Sequence, residues 1–116
     1  MLDYLQHNLR DKNTEVFLVI YLNGRNQILK LEELFKGTLS TSAVYPREVV
    51  KRALDNNAAA IVLVHNHPSG NSTPSQDDLA ITKKLKEATQ SIDVSVHDHL
   101  IIAGNDVYSF ADHGIL

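Results

Sequence analysis

The stretch that decides the fold is His65 to Asp78, which reads HNHPSGNSTPSQDD. It begins where a continuous apolar run ends, and it closes with Ser75 and Asp78 three residues apart. Side chains at i and i+2 of a β-strand point to the same face, so His65 and His67 can reach one ion together. Pro68 favours extended geometry in the residue before it. The polar loop can then bring the Asp78 carboxylate back towards both imidazoles.

This set of side chains predicts a metal site. Two imidazoles and one carboxylate make three protein ligands, the number found at catalytic zinc sites that keep a fourth position for water, whereas a structural site is closed by four. The pattern therefore indicates a metal-activated water. Taken singly, each residue has a structural alternative, because loop histidines bond the backbone and Ser75 and Asp78 can cap a helix. Their combination favours the metal.

Length and composition are those of one soluble globular domain. The 116 residues predict a single domain over 1–116, long enough to bury its own core. Hydrophobic residues make up 43% and charged residues 22%, which is ordinary for this class. There is no cysteine, which excludes disulfides and thiolate metal sites and suits a reducing compartment.

Membrane and nucleic-acid partners are not expected. The longest apolar run, Ala58 to Val64, is too short to span a bilayer. The N-terminal MLDYLQHNLRDKN lacks the apolar core of a secretion signal, so a cytoplasmic location is predicted. The net charge is −3 and no run of Lys and Arg stands out, which argues against strong nucleic-acid binding by this domain alone.

Hydrophobic periodicity predicts three helices and five strands. Helices are expected over 2–12, from Pro46 to about Asn56, and from an N-cap at Ser75 to about Gln90. Strands are expected at Val16 to Leu22, Gln27 to Leu34, Ala58 to His65, Val94 to Ala103 and Val107 to Phe110.

The turns between these elements complete the predicted fold. Asn23-Gly24 is a hairpin signal, so the two strands beside it should pair antiparallel. Thr38 to Val44 is expected to be a short extended or irregular segment. The order of elements predicts an α/β fold in which helices sandwich a mixed β-sheet.

The same residues resemble a known family. The spacing His-x-His, seven residues, Ser, two residues, Asp is the signature of the JAMM (MPN-type) metalloproteases, and this chain fits it without a gap. The fuller strings YPREVVKRAL, HNHPSG, FKGTLS at 35–40 and DHLIIAG at 98–104 resemble the C-terminal domain of the RadC family. The resemblance covers nearly the whole chain and implies a JAB/MPN-like, cytidine-deaminase-like architecture.

The resemblance also implies roles for individual residues. One zinc ion per chain would be bound by His65, His67 and Asp78. A glutamate on an earlier strand would act as general base, and Ser75 would support the oxyanion of a tetrahedral intermediate. Glu15, which enters the first buried strand, stands at the matching place.

The glutamate is the position with open alternatives. Glu15 could instead be a solvated strand-end residue, and Glu48 is the rival base, although a helix dipole already explains its carboxylate. Glu32 and Glu33 are expected to face solvent. Glu15 should lie near the histidines if its strand neighbours Ala58 to His65 and their ends coincide; antiparallel pairing is expected to move it to the opposite end.

A second His-x-His, formed by His97 and His99, lacks a following carboxylate that could close a metal site. The matching stretch of RadC proteins contains an Asp-His pair, so Asp98 and His99 could orient the metal ligands of the first site by hydrogen bonding. A structural role is the favoured interpretation.

Three functions remain open at this stage. The first is a zinc-dependent hydrolase that cleaves an amide bond in an unknown protein or peptide substrate. The second is a non-catalytic metal-binding accessory module in DNA transactions or protein–protein interaction, and the third is a metal-dependent phosphodiesterase. The acidic balance and single metal argue against a nuclease. Longer RadC members carry an N-terminal helix-hairpin-helix region with no counterpart here, so a natural short member or an excised domain is expected.

Overall fold

The secondary structure alternates helices and strands in the predicted order. The computed structural model describes residues 2–10, 12–37 and 44–116, and within these ranges the chain forms three helices and five strands. The helices are α1 (Leu2–Leu9), α2 (Pro46–Asp55) and α3 (Gln76–Gln90). The strands are β1 (Val16–Leu22), β2 (Ile28–Lys36), β3 (Ala60–Asn66), β4 (Ser95–Ala103) and β5 (Asp106–Ser109).

Local signals account for the starts of α2, α3 and β3. Pro46 opens α2, where its missing N–H is not needed. Ser75 is the N-cap of α3, as predicted. Strand β3 starts later than expected, because Asn57 adopts a positive φ of 53° and the Ala58 N–H is still bound to the Ala53 carbonyl behind it. The predicted irregular segment Thr38 to Val44 lies, except for Val44, outside the described residues.

The five strands form one mixed sheet in the order β2-β1-β3-β4-β5. Strand β1 runs antiparallel to both β2 and β3, β3 runs parallel to β4, and β4 runs antiparallel to β5. Every residue of β1 and β3 is buried. The predicted α/β class with a mixed sheet and two doubly covered central strands is therefore confirmed.

Apolar side chains on the two faces of the sheet pack against different helices. On one face Phe17, Val19 and Leu63 pack in a cluster that includes residues of α2 and α3. On the other face Leu18 and Val64 pack in a cluster that includes residues of α1. Helices therefore cover both faces of the sheet, as predicted. Among the described residues, no helix is long and apolar enough to cross a membrane.

The pairing of β1 with β3 corrects one expectation about Glu15. Phe17 pairs with His65 and Leu22 with Ala60, so the strands are neighbours and antiparallel. Glu15 precedes the first residue of β1, and the histidines stand at the end of β3, His65 within the strand and His67 just after it. Antiparallel pairing therefore brings them to the same edge of the sheet, and the expectation that it would separate them was wrong.

The hairpin between β1 and β2 forms as predicted but turns over more residues than the Asn-Gly signal implies. The side-chain oxygen of Asn23 accepts hydrogen bonds from the N–H groups of Arg25 and Gln27 at 2.9 and 3.0 Å. The positive φ, 59°, is at Asn26 rather than at Gly24. Antiparallel pairing of the two strands is confirmed by the register of Tyr21 with Lys30.

Candidate metal centre

The two histidines of the HNH stretch lie together at the end of β3. His65 belongs to the strand and is 1% exposed, and His67 follows it immediately. Their ring centroids are 4.9 Å apart and the rings are nearly perpendicular. The His67 N–H bonds the Ile102 carbonyl of β4 at 2.9 Å, which keeps the chain extended past the last strand residue. The predicted common face of the two imidazoles is thus observed.

Asp78 reaches both rings from the first turn of α3. Its Oδ1 lies 3.1 Å from His65 Nδ1, and its Oδ2 lies 2.9 Å from His67 Nε2. The same Oδ2 accepts the Ser75 N–H at 2.8 Å, while the Asp78 N–H bonds the Ser75 hydroxyl at 3.0 Å. The carboxylate is therefore both a capping residue and a neighbour of the two imidazoles, and the two interpretations do not exclude each other.

The ring of His67 is held in one orientation by its second nitrogen. Nδ1 lies 2.8 Å from the Asn71 carbonyl, and because a carbonyl only accepts, Nδ1 is the donor. Nε2 then faces the Asp78 carboxylate. An N–H bond to a backbone carbonyl on the far side of the ring is the usual means by which a metal-binding histidine is oriented. His67 is accordingly arranged to offer Nε2.

The charges of Asp78 and His67 depend on each other. Burial alone raises the pKa of the Asp78 carboxyl, but the adjacent imidazoles and the Ser75 N–H lower it well below its usual range. The hydrogen bond to Asp78 raises the pKa of His67, although burial opposes this. The carboxylate is therefore anionic at neutral pH and stabilises positive charge beside it, whether a proton or a cation carries that charge.

Glu15 approaches the pair from β1. Its Oε1 lies 3.6 Å from His65 Nε2, and its side chain is 24% exposed, whereas Asp78 is fully enclosed. Glu15, His65 and His67 each offer one ligand atom, all within 4.8 Å of one another, which makes them a group that could hold a metal ion. Sequence reasoning named Asp78 as the acidic ligand. Asp78 is not a member of this group, although its buried carboxylate lies beside both rings.

The candidate ligands fit a zinc ion because several of their buried polar atoms make no hydrogen bond. Among the described residues, both ring nitrogens of His65 and Oδ1 of Asp78 are buried and make no hydrogen bond. The 3.1 Å approach between His65 and Asp78 is close, but its angles are not those of a hydrogen bond. Leaving such groups unpaired costs free energy, and a cation between His65 Nδ1 and Asp78 Oδ1 would satisfy these two atoms, while His65 Nε2 faces Glu15. Imidazole nitrogens and carboxylate oxygens are common zinc ligands.

A cavity of about 300 Å³ opens beside this group. It is lined by Glu15, His67, Pro68, Ser69, Asn71, Thr73 and Ser75. The lining contains hydroxyl and amide groups and one carboxylate but no lysine or arginine. The site is therefore accessible from the side of the HNHPSG loop. The residues that line this side are polar but include no lysine or arginine.

Two of the other glutamates, Glu48 and Glu32, belong to a separate ion-pair network, whereas Glu33 is exposed, as expected. Glu48 of α2 lies 3.8 Å from Arg52, and Arg52 approaches Glu32 at 2.7 Å. Glu32 also accepts a hydrogen bond from the buried Tyr21 hydroxyl at 3.2 Å. The expectation that Glu32 faces solvent was wrong, because Arg52 covers it. This network joins α2 to the β1–β2 hairpin.

The second His-x-His does not form a site because a bulge breaks the alternation of β4. Ile61 pairs with Val96 but Val62 pairs with Asp98, so His97 is skipped in the register. His97 is exposed and bonds the Asn26 side chain at 3.0 Å, whereas His99 is fully buried. The structure therefore agrees with the structural interpretation of this pair.

The contacts of Asp98 and His99 differ from those expected of residues that bond the candidate metal ligands directly. Asp98 accepts the His99 and Ala111 N–H groups, at 2.7 and 3.0 Å, and so fixes the turn after β5. His99 stacks on Phe110 and lies 2.6 Å from the Thr82 hydroxyl. Thr82 donates to the Asp78 carbonyl at 2.7 Å, so only His99 reaches the first turn of α3, and it does so indirectly.

The burial of His99 predicts acid-sensitive stability. Burial lowers the pKa of His99 from its usual 6.5 to about 3, so between these values the unfolded chain binds a proton that the folded chain does not. Above pH 6.5 the titration of His99 does not change the free energy of unfolding. Below that pH the free energy of unfolding falls by at most about 1.4 kcal/mol per pH unit. With chelator present, the free energy of unfolding measured in urea should therefore fall more steeply between pH 7 and pH 4 in wild type than in His99→Gln. Parallel curves would contradict this.

Comparison with known proteins places the chain among related sequences. A family model described as the RadC-like JAB domain matches residues 1–115. A UPF0758 protein of Thiobacillus denitrificans is 54% identical over 114 residues, which are 98% of this chain and 51% of that protein. The UPF0758 proteins YfjY and YeeS of Escherichia coli are each 52% identical over 98% of this chain, which covers 71% and 77% of their lengths. The chain thus spans about half the length of the first relative.

Proposed function

Because this chain belongs to the RadC-like JAB domain family, we propose that it is a zinc-dependent hydrolase that cleaves a peptide or isopeptide bond. The observation that carries the proposal is the meeting of two imidazoles and two carboxylates at one edge of the sheet, beside an open polar cavity. His65, His67 and Asp78 would hold the ion. Bound zinc supplies a Lewis acid and lowers the pKa of a coordinated water to near 7.

Glu15 is proposed as the general base. It lies 3.6 Å from His65 and lines the cavity, so it would meet substrate and water on the accessible side. A base must reach the proton that it abstracts directly or through one water. Asp78 cannot take this role from its position, since it is enclosed and already accepts the Ser75 N–H.

Ser75 is proposed to stabilise the oxyanion that develops on the scissile carbonyl. Its hydroxyl oxygen accepts the Asp78 N–H, which leaves the hydroxyl proton available for donation. The residue also lines the cavity. A donor aimed at the developing charge contributes about 3–4 kcal/mol in other acyl-transfer enzymes.

The lining of the cavity favours an amide substrate over a phosphodiester. A peptide group is neutral and offers one N–H and one carbonyl, which hydroxyl and amide side chains such as Ser69, Asn71 and Thr73 can pair. A phosphodiester would bring negative charge next to Glu15 without a lysine or arginine among the lining residues to balance it.

The test is a screen of the zinc-loaded protein against peptides and isopeptides, with chelator and zinc re-addition as the metal control. Asp78→Asn should lose both zinc and hydrolysis. Ser75→Ala should keep zinc and lose about 100-fold or more in kcat. Circular dichroism of both variants checks the cap, whose loss alone costs about 1 kcal/mol.

Two results would contradict parts of this proposal. Equal zinc occupancy in Asp78→Asn and wild type would return Asp78 to a purely capping role. Stoichiometric zinc with no hydrolysis across the screen would favour the non-catalytic accessory module instead.

A further inference from the structure

Asn66 stands between the two histidines, and its side chain points to the opposite face of β3. The residue is 1% exposed. Its Oδ1 accepts the Val16 N–H at 2.6 Å, and its Nδ2 donates to the Thr14 carbonyl at 3.1 Å. These two partners belong to the peptide groups immediately before and after Glu15.

The Asn66 amide extends the pairing of β1 and β3 by one step. The backbone register between these strands ends at Phe17 and His65, and the side chain of Asn66 bonds the chain beyond that pair. The Glu15 carbonyl is bound in addition by the Gly37 N–H at 2.8 Å. Both peptide groups that flank the Glu15 Cα are therefore held, one of them from two sides.

An asparagine suits these partners because one is a donor and the other an acceptor. Only a planar amide offers an acceptor oxygen and a donor nitrogen at the same branch point. The two partners also fix which way the amide faces, since the flipped group would set N–H against N–H. An aspartate would place a carboxylate oxygen against the Thr14 carbonyl, and an alanine would leave both backbone groups without their partner.

We propose that Asn66 is a positioning residue for Glu15: it locks the backbone on both sides of this glutamate, so that the carboxylate stays beside His65. The role rests on the proposed function, in which Glu15 is the general base. A reacting group displaced by about 1 Å can lose about 100-fold in rate. The HNH stretch would thus supply metal ligands from one face of β3 and place the base from the other.

The test is a double-mutant cycle of Asn66→Ala and Glu15→Gln in the zinc-loaded protein. Asn66→Ala should keep zinc, lower kcat by about 10- to 100-fold and leave KM nearly unchanged. In the Glu15→Gln background it should cost no further activity, because two residues that act as a unit are not additive. Asn66→Asp, which retains the acceptor for Val16 but sets a carboxylate oxygen against the Thr14 carbonyl, should also keep zinc and lower kcat.

Asn23→Ala is the matched control, since the Asn23 side chain also bonds two backbone groups, both of them N–H groups, but lies at the other end of β1. It should lose stability without losing kcat. Additive losses in the cycle, or an unchanged kcat in Asn66→Ala, would overturn the proposal.

A crystal structure and amide hydrogen exchange test the positioning role of Asn66 independently of hydrolytic activity. In Asn66→Ala the Glu15 carboxylate should move away from its 3.6 Å approach to His65, and the Val16 amide should exchange roughly tenfold faster or more. Absence of hydrolysis in wild type would remove the general-base role but not this displacement. An unmoved Glu15 with a protected Val16 amide would overturn the positioning role even if wild type is active.

Discussion

Protein purified without chelator should contain about one zinc ion per chain, and His65→Ala/His67→Ala should contain almost none. The loss is expected because neither remaining carboxylate can replace two imidazoles. His65 and His67 both lie within hydrogen-bonding distance of Asp78. Both ring nitrogens of His65 are buried and make no hydrogen bond. Elemental analysis and competition with a chromophoric chelator measure both quantities.

His97→Ala/His113→Ala is the matched control for this measurement. It also removes two histidines, but His97 bonds Asn26 and His113 stacks on Tyr108, away from the HNH stretch. This control should retain the zinc of wild type. Equal zinc in the two double variants would contradict the assignment of the site to the end of β3.

The parts of the site that the sequence predicts are those set by local geometry. The period of two along β3 places His65 and His67 on one face, and the capping pattern of Ser75 and Asp78 starts α3. Both rules act within a few residues. The intervening loop then has only to reverse direction, which its composition of Pro, Gly, Ser and Asn favours.

The parts that the sequence does not predict depend on partners far along the chain. Whether Glu15 meets the histidines is decided by the direction and register of β1 against β3, a pairing over about 50 residues that no short pattern encodes. The contacts of Asn66 were not predicted for the same reason, since both of its partners lie some 50 residues away. The only sequence signal was its place between the two histidines.

Errors at individual positions have the same origin. Glu32 was expected to face solvent, but Arg52 of α2 covers it at 2.7 Å. The bulge in β4 that takes His97 out of the alternation was likewise not predicted, although the structural interpretation of His97 and His99 agrees with the structure. Bulges and cross-element ion pairs are tertiary features, so periodicity within one strand could not reveal them.

Glu15→Gln should retain zinc and lose hydrolysis by about 100- to 10,000-fold, which is the usual contribution of a general base. The substitution is nearly isosteric and removes the charge while preserving an oxygen near His65. The backbone contacts of residue 15 with Gly37 should survive. Single-turnover and steady-state rates on a substrate from the peptide screen, with zinc content measured on the same samples, check the prediction.

Glu48→Gln separates this role from a general effect of removing a carboxylate. Glu48 was the rival base from the sequence, but it lies on α2, pairs with Arg52 at 3.8 Å and is absent from the lining of the cavity beside His67. Its loss should leave both zinc and rate unchanged, because it contacts neither histidine ring. A variant pair in which Glu48→Gln is inactive and Glu15→Gln is active would transfer the role to Glu48. It would also imply that the cavity beside His67 is not where the substrate binds.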